Sequence, residues 1–481
     1  NVEACVNAAA ARLKQGRLRA ARRHAEAATA RAPDHAPAWL NLAVALSGAG
    51  RARAAVEAAA RAVALRPGHA AAHSTLLTCL QYRPAVSPEG LFVAHRAWAV
   101  RHADPATPAP PPARPAAHRP LRVGFVSPDF GRHPVGFFLL PLLRGRDPAA
   151  FTATLYSTRL GPADDVTAAL RAAADAWEDV AALDDAALAE RVRGEGMDVL
   201  VDLSGHTAGH RLLAFARRPA PVQVTWAGYA GTTGLAAMDA LLADARQVPS
   251  GAEGPYAERV VRLPGVYVPY APPPDAPPVA TPDPGRPPTF GSFNNPAKLN
   301  ERALRLWAEV LLAVPEARLL LKFRGMTDPD VAGRLRRVFA DAGVAAERVT
   351  LEEGAPQPAF LARYGAVDVA LDPRPYNGGL TTLEALWMGV PVVTWPGRTF
   401  AGRHAAAHLH AAGLDDLVAA DGPAYVARCV ALMADGERRA HLRATLRDAV
   451  ARGPSGDGAT FARAFHAALH GLVTERTGEV A

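Results

Sequence analysis

Residues 367–395 read VDVALDPRPYNGGLTTLEALWMGVPVVTW and carry the signals of a strand, a loop, a helix and a second strand. Four of the six residues of VDVALD are apolar, and near-continuous apolar strands are typical of a parallel sheet buried on both faces. Asn377, Gly378 and Gly379 predict a tight turn, and a helical pattern begins near Thr381. VPVVTW predicts the next strand, so the whole segment predicts a repeating α/β unit.

The same alternation extends over the chain from residue 121 onward and falls into two blocks. A Pro-rich stretch at 105–120 precedes the first block and another at 271–288 separates the two. We interpret both as linkers, because such segments are stiff and extended. The blocks predict an N-terminal lobe over 121–270 and a C-terminal lobe over 289–481, each with a parallel sheet covered on both faces. The predicted strands are LRVGFVS (121–127), FTATLYS (151–157), DVLVDLS (198–204), PVQVTW (221–226), ERVVRLP (258–264), PTFGSF (288–293), ARLLLKF (317–323), ERVTLEE (347–353), VDVALD (367–372) and VPVVTW (390–395).

A helical repeat occupies residues 1–104. Gly16 and Gly50, like Pro33 and Pro67, recur at an interval of 34 residues. This period, with small residues at helix contacts and Pro after the second helix, resembles the tetratricopeptide repeat. Each unit of such a repeat buries its apolar face only against neighbours. Because only about two repeats are visible, we expect the region either to pack against the next domain of the chain or to continue a longer array.

Composition excludes several classes of protein. The chain has 481 residues, 49% of them hydrophobic and 21% charged, which is ordinary for a globular protein of two to four domains. Three scattered cysteines exclude a disulfide framework and fit a reducing compartment, so a cytoplasmic location is expected. No apolar run is long enough to span a membrane. The net charge of +7 is spread without a basic and aromatic cluster, so neither nucleic acid nor membrane is expected as a partner.

Polar loops come directly after several predicted strands, at the edge where parallel sheets bind ligands. The loop 372–384 ends at a helix start, where N–H groups and hydroxyls favour an anion such as phosphate. Thr381 and Glu384 also have the spacing of a capping box, so a plain capped helix is the alternative. Lys298 comes after another strand, in a chain with only three lysines. A compact positive charge there suits a phosphate, and a solvated surface lysine is the alternative.

Two histidines and one acidic motif also lie after strands or before helices. His133 lies in DFGRHPVG and His206 in SGHTAGHR, and histidine is the usual general base near neutral pH. Solvent exposure is the alternative for a single loop histidine. Asp328-Pro329-Asp330 has the Asp-x-Asp pattern of metal-dependent glycosyltransferases, but Asp before Pro is also a strong helix start. We therefore predict a helix cap there and no metal site.

Four motifs, in order after the repeats, resemble the O-linked N-acetylglucosamine (O-GlcNAc) transferase family in its bacterial form: LRVGFVSPDFGRHPVG, DLSGHTAGHRLLAFARRPAPVQVTWAGYAGTTG, FGSFNNPAKLN and DVALDPRPYNGGLTTLEALWMGVPVVT. The resemblance implies an all-α tetratricopeptide-repeat region and, after it, two Rossmann-like lobes, the B-type glycosyltransferase fold. It also implies an inverting enzyme that transfers N-acetylglucosamine from UDP-GlcNAc to Ser or Thr hydroxyls of an acceptor protein or peptide. No metal or other cofactor is implied.

The resemblance also assigns roles to residues. Lys298 matches a lysine that contacts the donor diphosphate, and His133 matches a histidine near the donor sugar and acceptor that has been considered as the base. His206 is typical of bacterial members. The catalytic residues implied are thus His133, Lys298 and His206. The donor-binding residues implied are Asn295, Lys298, Gln357, Phe360, Gly379, Leu380, Thr381, Thr382 and Glu384.

Three of these positions depart from the family pattern. Leu380 replaces a phosphate-side Thr, Phe360 replaces a His that packs on uracil, and Gln357 falls near a base-side Lys of animal members. Two alternatives therefore stay open. One is a transferase of the same fold with another UDP-sugar, and the other is a non-catalytic scaffold that binds peptides through its repeats.

Overall fold

The computed structural model describes residues 1–103, 119–283 and 285–477. These residues form two compact units, each built from two stretches of chain. The repeat-containing unit comprises Asn1–Ser87 and Pro272–Val450. The seven-stranded unit comprises Pro88–Ala271 and Ala451–Ala481.

Successive helices of the repeat-containing unit pack against each other at its start, which confirms the predicted tetratricopeptide arrangement. Buried alanines such as Ala9, Ala43 and Ala59 line their contacts, so the helices approach closely. Gly16 and Gly50 close the turns with φ of +73° and +70°, a left-handed conformation that glycine adopts without strain. The helices are α1 (Val2–Lys14), α2 (Leu18–Arg31), α3 (Ala36–Gly48), α4 (Ala52–Leu65) and α5 (Ala70–Gln81).

The seven-stranded unit contains a parallel sheet. Its strands are β1 (Leu121–Ser127), β2 (Phe151–Ser157), β3 (Ala176–Asp179), β4 (Val199–Asp202), β5 (Val222–Thr225), β6 (Ala240–Ala243) and β7 (Arg259–Arg262). They lie in the order β3-β2-β1-β4-β5-β6-β7. The helices of this unit are α6 (Pro88–His102), α7 (Pro134–Gly145), α8 (Asp165–Ala173), α9 (Asp185–Gly194), α10 (Leu212–Ala216) and, from the end of the chain, α18 (Gly458–Thr477).

A five-stranded, fully parallel sheet forms the rest of the repeat-containing unit. Its strands are β8 (Thr289–Ser292), β9 (Arg318–Phe323), β10 (Val349–Glu353), β11 (Val369–Leu371) and β12 (Val392–Val393). They lie in the order β10-β9-β8-β11-β12. Its helices are α11 (Glu301–Ala313), α12 (Pro329–Asp341), α13 (Gln357–Ala362), α14 (Leu380–Trp387), α15 (His404–Ala411), α16 (Gly422–Ala434) and α17 (Gly436–Arg452). The helical repeats and the two parallel α/β sheets confirm the predicted fold class.

Two helices are grouped differently from the predicted domain boundaries. The boundaries put α6 within 1–104, yet His95 on this helix bonds to Tyr229 of the seven-stranded unit (Nε2 to Oη, 2.8 Å). They put α18 within 289–481, yet it packs on α7. An apolar helix face can pack on any apolar surface, so sequence order alone does not show which unit a helix belongs to. The predicted linker 105–120 lies almost wholly outside the described residues.

Candidate functional site

Asp372 fixes the loop between β11 and α14. Its Oδ1 accepts from the Gly378 N–H at 2.7 Å and its Oδ2 from the Thr394 hydroxyl at 2.6 Å. Burial raises the pKa of this carboxyl, while Lys298 nearby works in the opposite sense. A side chain at position 378 would meet both Thr381 Oγ1 and Thr382 Oγ1 at 2.7 Å. Glycine is therefore required for the loop to reach the helix start.

Lys298 ends a one-turn 3-10 helix after β8 and reaches this same loop. Its Nζ donates to the Asn377 carbonyl at 2.8 Å and lies 4.6 Å from the centre of the Tyr376 ring. Burial lowers the pKa of the ammonium group, and the charge of Asp372 opposes that shift. Lys298 and the loop before α14 are therefore in direct contact, and their binding of a phosphate stays a prediction.

Helix α14 begins at Leu380 with Gly379 as its N-cap and no side-chain cap. The predicted capping box is therefore wrong. Thr381 Oγ1 donates instead to Asn294 Oδ1 at 3.0 Å, and Thr382 Oγ1 to the Gly378 carbonyl at 2.9 Å. The first N–H groups of a helix have no partner within it, so this uncapped start can bind an anion.

Glu384 lies one turn further along α14 and is buried. Its Oε1 accepts from Gln357 Nε2 at 3.3 Å, and burial raises the pKa of the carboxyl to about 7. Phe360 packs edge-on against Phe293, with ring centres 5.3 Å apart. Gln357 therefore contacts Glu384 of α14, and Phe360 contacts Phe293 after β8. A base- or ribose-binding role for these side chains stays a prediction.

Two polar groups of this site escaped the sequence analysis. Asn294 accepts from Thr381, whereas the predicted Asn295 caps its own turn by accepting from the Ala297 N–H at 3.0 Å. Tyr376 covers Lys298. The double asparagine and the aromatic residue before Asn-Gly-Gly were visible signals, but pattern alone does not say which side chain turns toward the lysine.

In the seven-stranded unit, His133 is the N-cap of α7 and accepts from the Val135 N–H at 3.4 Å. Its Nδ1 lies 3.7 Å from Asp129 Oδ2. Burial lowers the pKa of His133, and Asp129 works in the opposite sense. This shift favours the neutral imidazole, the form that a general base needs, and 42% of the side chain is exposed.

His206 is buried in an aromatic cluster. Its Nε2 lies 2.8 Å from the Thr233 carbonyl oxygen. Ring centres of Trp98 and His95 lie 4.7 and 5.0 Å from its own. This burial supports a role in holding the loop after β4, and contact with a substrate stays a prediction for His206.

Asp328 accepts from the Asp330 N–H at 3.0 Å at the start of α12, which confirms the predicted helix cap. Arg22 of the repeats binds Asp330 (Nε to Oδ2, 2.5 Å). The Asp328 carboxylate therefore caps the helix, and the Asp330 carboxylate forms an ion pair with Arg22. Within the described ranges no three His, Cys, Asp or Glu side chains are grouped to hold a metal ion.

Tetratricopeptide helices followed by two parallel α/β sheets are the architecture of a class of B-type glycosyltransferases. The chain belongs to glycosyl transferase family 41, whose model matches residues 102–268 and 284–462. A tetratricopeptide-repeat model matches residues 12–80. The resemblance inferred from the motifs is therefore confirmed.

The names of similar proteins agree with this family assignment. A probable UDP-N-acetylglucosamine–peptide N-acetylglucosaminyltransferase SPINDLY of Solanum lycopersicum is 37% identical over 72% of this chain and 38% of its own length. The SPINDLY protein of Arabidopsis thaliana is 36% identical over 74% of this chain and 39% of its own. This chain thus spans about two fifths of the length of these curated relatives. A variant O-GlcNAc transferase of Thermobaculum terrenum has TM-score 0.88 and 38% identity, with 100% of this chain and 98% of that chain covered.

Proposed function

We propose that this chain is an inverting glycosyltransferase that moves N-acetylglucosamine from UDP-GlcNAc to Ser or Thr hydroxyls of proteins. The observation that carries this proposal is the contact of Lys298 with the loop before the uncapped start of α14. The names of its relatives, which include peptide N-acetylglucosaminyltransferases, support the donor and the acceptor.

In the proposed reaction the acceptor oxygen bonds to the anomeric carbon as the bond from that carbon to the diphosphate oxygen breaks. Negative charge then grows on UDP. Lys298 and the first N–H groups of α14 would stabilise that charge. Because these donors are already held in place, they need not rearrange as the charge develops. They supply the positive charge that a divalent ion supplies elsewhere, so we propose that no metal is needed. Turnover should then be unchanged by EDTA.

The acceptor proton needs a base, and the neutral His133 is our candidate. The tetratricopeptide helices would contribute to holding the acceptor, as repeat arrays do. The described residues include no helix both long and apolar enough to cross a membrane. Three free cysteines support a reducing compartment, and we propose a cytoplasmic location.

Lys298→Ala tests this function by calorimetry with UDP and by turnover with UDP-GlcNAc and lysate proteins. We expect turnover to fall by two to three orders of magnitude, roughly the effect of losing one such donor, and UDP to bind more weakly. Lys14→Ala is the matched control, since Lys14 is exposed on the repeats. Turnover near the wild-type level in Lys298→Ala would remove this lysine from the site.

Another UDP-sugar as donor is the second candidate, because Leu380 and Phe360 bring apolar surface to the site. A panel of nucleotide sugars, with released UDP measured, separates the two. UDP binding without turnover on any donor would instead favour a non-catalytic scaffold.

A further inference from the structure

A cavity of about 530 Å3 lies in the repeat-containing unit, lined by α11, the loop after β11, Trp395 and Tyr425. Lys298, Thr381 and Glu384 are not among the described residues that line this cavity. Small-molecule sites have volumes of about 300–1,000 Å3, so the cavity has the size for a metabolite.

Two guanidinium groups meet in this cavity over one indole ring. The Cζ of Arg374 lies 3.7 Å from the Trp395 ring centre, and the Cζ of Arg302 lies 5.9 Å from it. Within the described part of the chain, neither side chain makes a hydrogen bond or an ion pair, and Arg374 Nε is buried without an acceptor. Burial, and then the charge of Arg302, lower the pKa of Arg374. Arg374 is half-buried and Arg302 is exposed. Two cations near each other repel, and an anion between them would relieve the repulsion.

The carboxylates around the cavity do not supply that anion. Glu301 binds Arg305 at 2.7 Å (Oε1 to Nη2). Asp372 accepts from the Gly378 N–H and the Thr394 hydroxyl. Glu309 is exposed on α11. The charge of Arg302 and Arg374 is therefore available to a ligand.

The rest of the cavity wall is apolar. Trp307 and Tyr425 are fully buried beneath it and bond to each other, with Trp307 Nε1 donating to the Tyr425 hydroxyl at 3.2 Å. Leu306 and Ala303 add aliphatic surface. We propose that this cavity binds a small organic anion, whose carboxylate or phosphate is held by Arg302 and Arg374 and whose apolar body packs against Trp395. Guanidinium groups suit both oxyanions, because their planar donors match two oxygens at once.

Calorimetry on the full chain tests this site with phenyl phosphate, phenylacetate and the neutral 2-phenylethanol. We expect at least one anion to bind at millimolar concentration or below, and the alcohol at least about tenfold more weakly. The tighter of the two anions identifies the headgroup. Arg302→Gln and Arg374→Gln should each weaken the bound anion by about tenfold or more, as expected when a charge-assisted hydrogen bond is lost. Arg336→Gln is the control, since Arg336 is exposed on α12 of the same unit.

A phosphate probe could also occupy the proposed donor site, so Lys298→Ala and saturating UDP are the second arm. Probe binding should survive both. Probe binding that is lost in Lys298→Ala and kept in Arg374→Gln overturns this inference, as does equal binding of the alcohol or no binding of either anion. Arg374→Lys retains the positive charge but lacks the planar guanidinium group, so it should bind the probe with intermediate strength. This result would show that weaker binding in the Gln variants is not caused by a folding defect. If UDP fails to bind but the probes depend on Arg374, the proposed function falls and this site stands.

Discussion

At the scale of single residues, four candidate side chains have shifted pKa values, three of them in the repeat-containing unit and His133 in the seven-stranded unit. Asp372 and Glu384 both have a raised pKa, and Lys298 and His133 both have a lowered one. Each shift favours the neutral form of the group. Such shifts cluster where side chains are arranged for binding or chemistry rather than for stability.

Glu384 provides a stability test of this view. Its pKa is about 7 in the folded protein against an ordinary 4.5, so the folded state holds the proton more tightly. Stability should fall as the pH rises from about 4.5 to 7 and stay reduced above that. At about 1.4 kcal/mol per pH unit, the full loss is about 3 kcal/mol.

Glu384→Gln removes this loss and keeps an acceptor oxygen for Gln357. We expect the variant to be up to about 3 kcal/mol more stable at pH 8 and nearly unchanged at pH 5. Hydrogen exchange in α14 during urea titrations at both pH values measures it. Glu347→Gln, an exposed glutamate on the same lobe, should change little at either pH. A gain of equal size at both pH values would contradict the assigned pKa.

The structural role of a residue could be predicted where its sequence pattern fits only one local structure. Lys298 and the Asn-Gly-Gly turn stood out because the chain has only three lysines and because adjacent glycines indicate a turn. The capping box of Thr381 and Glu384 does not form, although the Thr-x-x-Glu spacing fits one, and phosphate binding by Thr381 stays a prediction. Only the structure shows that Asn294, which follows β8, accepts the hydrogen bond from the Thr381 hydroxyl.

At the scale of elements, most strands could be predicted and two could not. Most predicted segments are apolar runs, and even the edge strands β7 and β10 were predicted, because Val and Leu recur in RVVR and VTLEE. Strand β3 is a polar edge strand with the sequence AWED, and β6 is ALLA, whose residues favour helices. Sheet pairing overrides that preference in β6, which sequence alone does not reveal.

Two equivalent turns of the repeats offer a matched comparison at this scale. Gly16 and Gly50 have nearly the same φ, so an Ala at either position has the left-handed cost of about 1 kcal/mol. A Cβ at Gly16 meets the flexible Arg324 side chain at 3.0 Å, whereas one at Gly50 meets the Pro296 carbonyl oxygen at 2.7 Å. Pro296 opens the short helix that ends in Lys298.

Gly50→Ala should therefore destabilise the protein by about 1–3 kcal/mol more than Gly16→Ala, the usual range for overpacking. It should also weaken UDP binding, because it displaces the turn that carries Lys298. Thermal unfolding and UDP calorimetry on both variants measure the two effects. Equal destabilisation, or unchanged UDP affinity in Gly50→Ala, would show that the turn yields without moving the lysine.

At the scale of the whole molecule, the chain contributes to the seven-stranded unit in two separate stretches. Helix α6 leaves the repeats for that unit, and α18 returns to it after the five-stranded sheet is complete. The motifs predicted two lobes and their order. They could not predict these exchanges, because a buried helix face specifies apolar contact but not which sheet provides it.

Phe465 of α18 tests how much the seven-stranded unit depends on the end of the chain. Its ring is fully buried and lies 5.1 Å from Trp226 and 6.2 Å from Phe125, centre to centre. Phe465→Ala would leave a cavity beside β1 and should cost about 3–5 kcal/mol.

Hydrogen exchange locates that loss. Strands β1, β2 and β5 should exchange faster in Phe465→Ala, while β8 and β9 serve as the internal reference, because their core lies in the other unit. Arg463→Ala on the exposed side of the same helix should leave both sheets unchanged. Equal acceleration in the two sheets would mean that the units unfold together, and no acceleration would mean that α18 is dispensable for the sheet it covers. Faster exchange confined to the seven-stranded sheet would establish that its stability depends on residues that come after both sheets in the sequence.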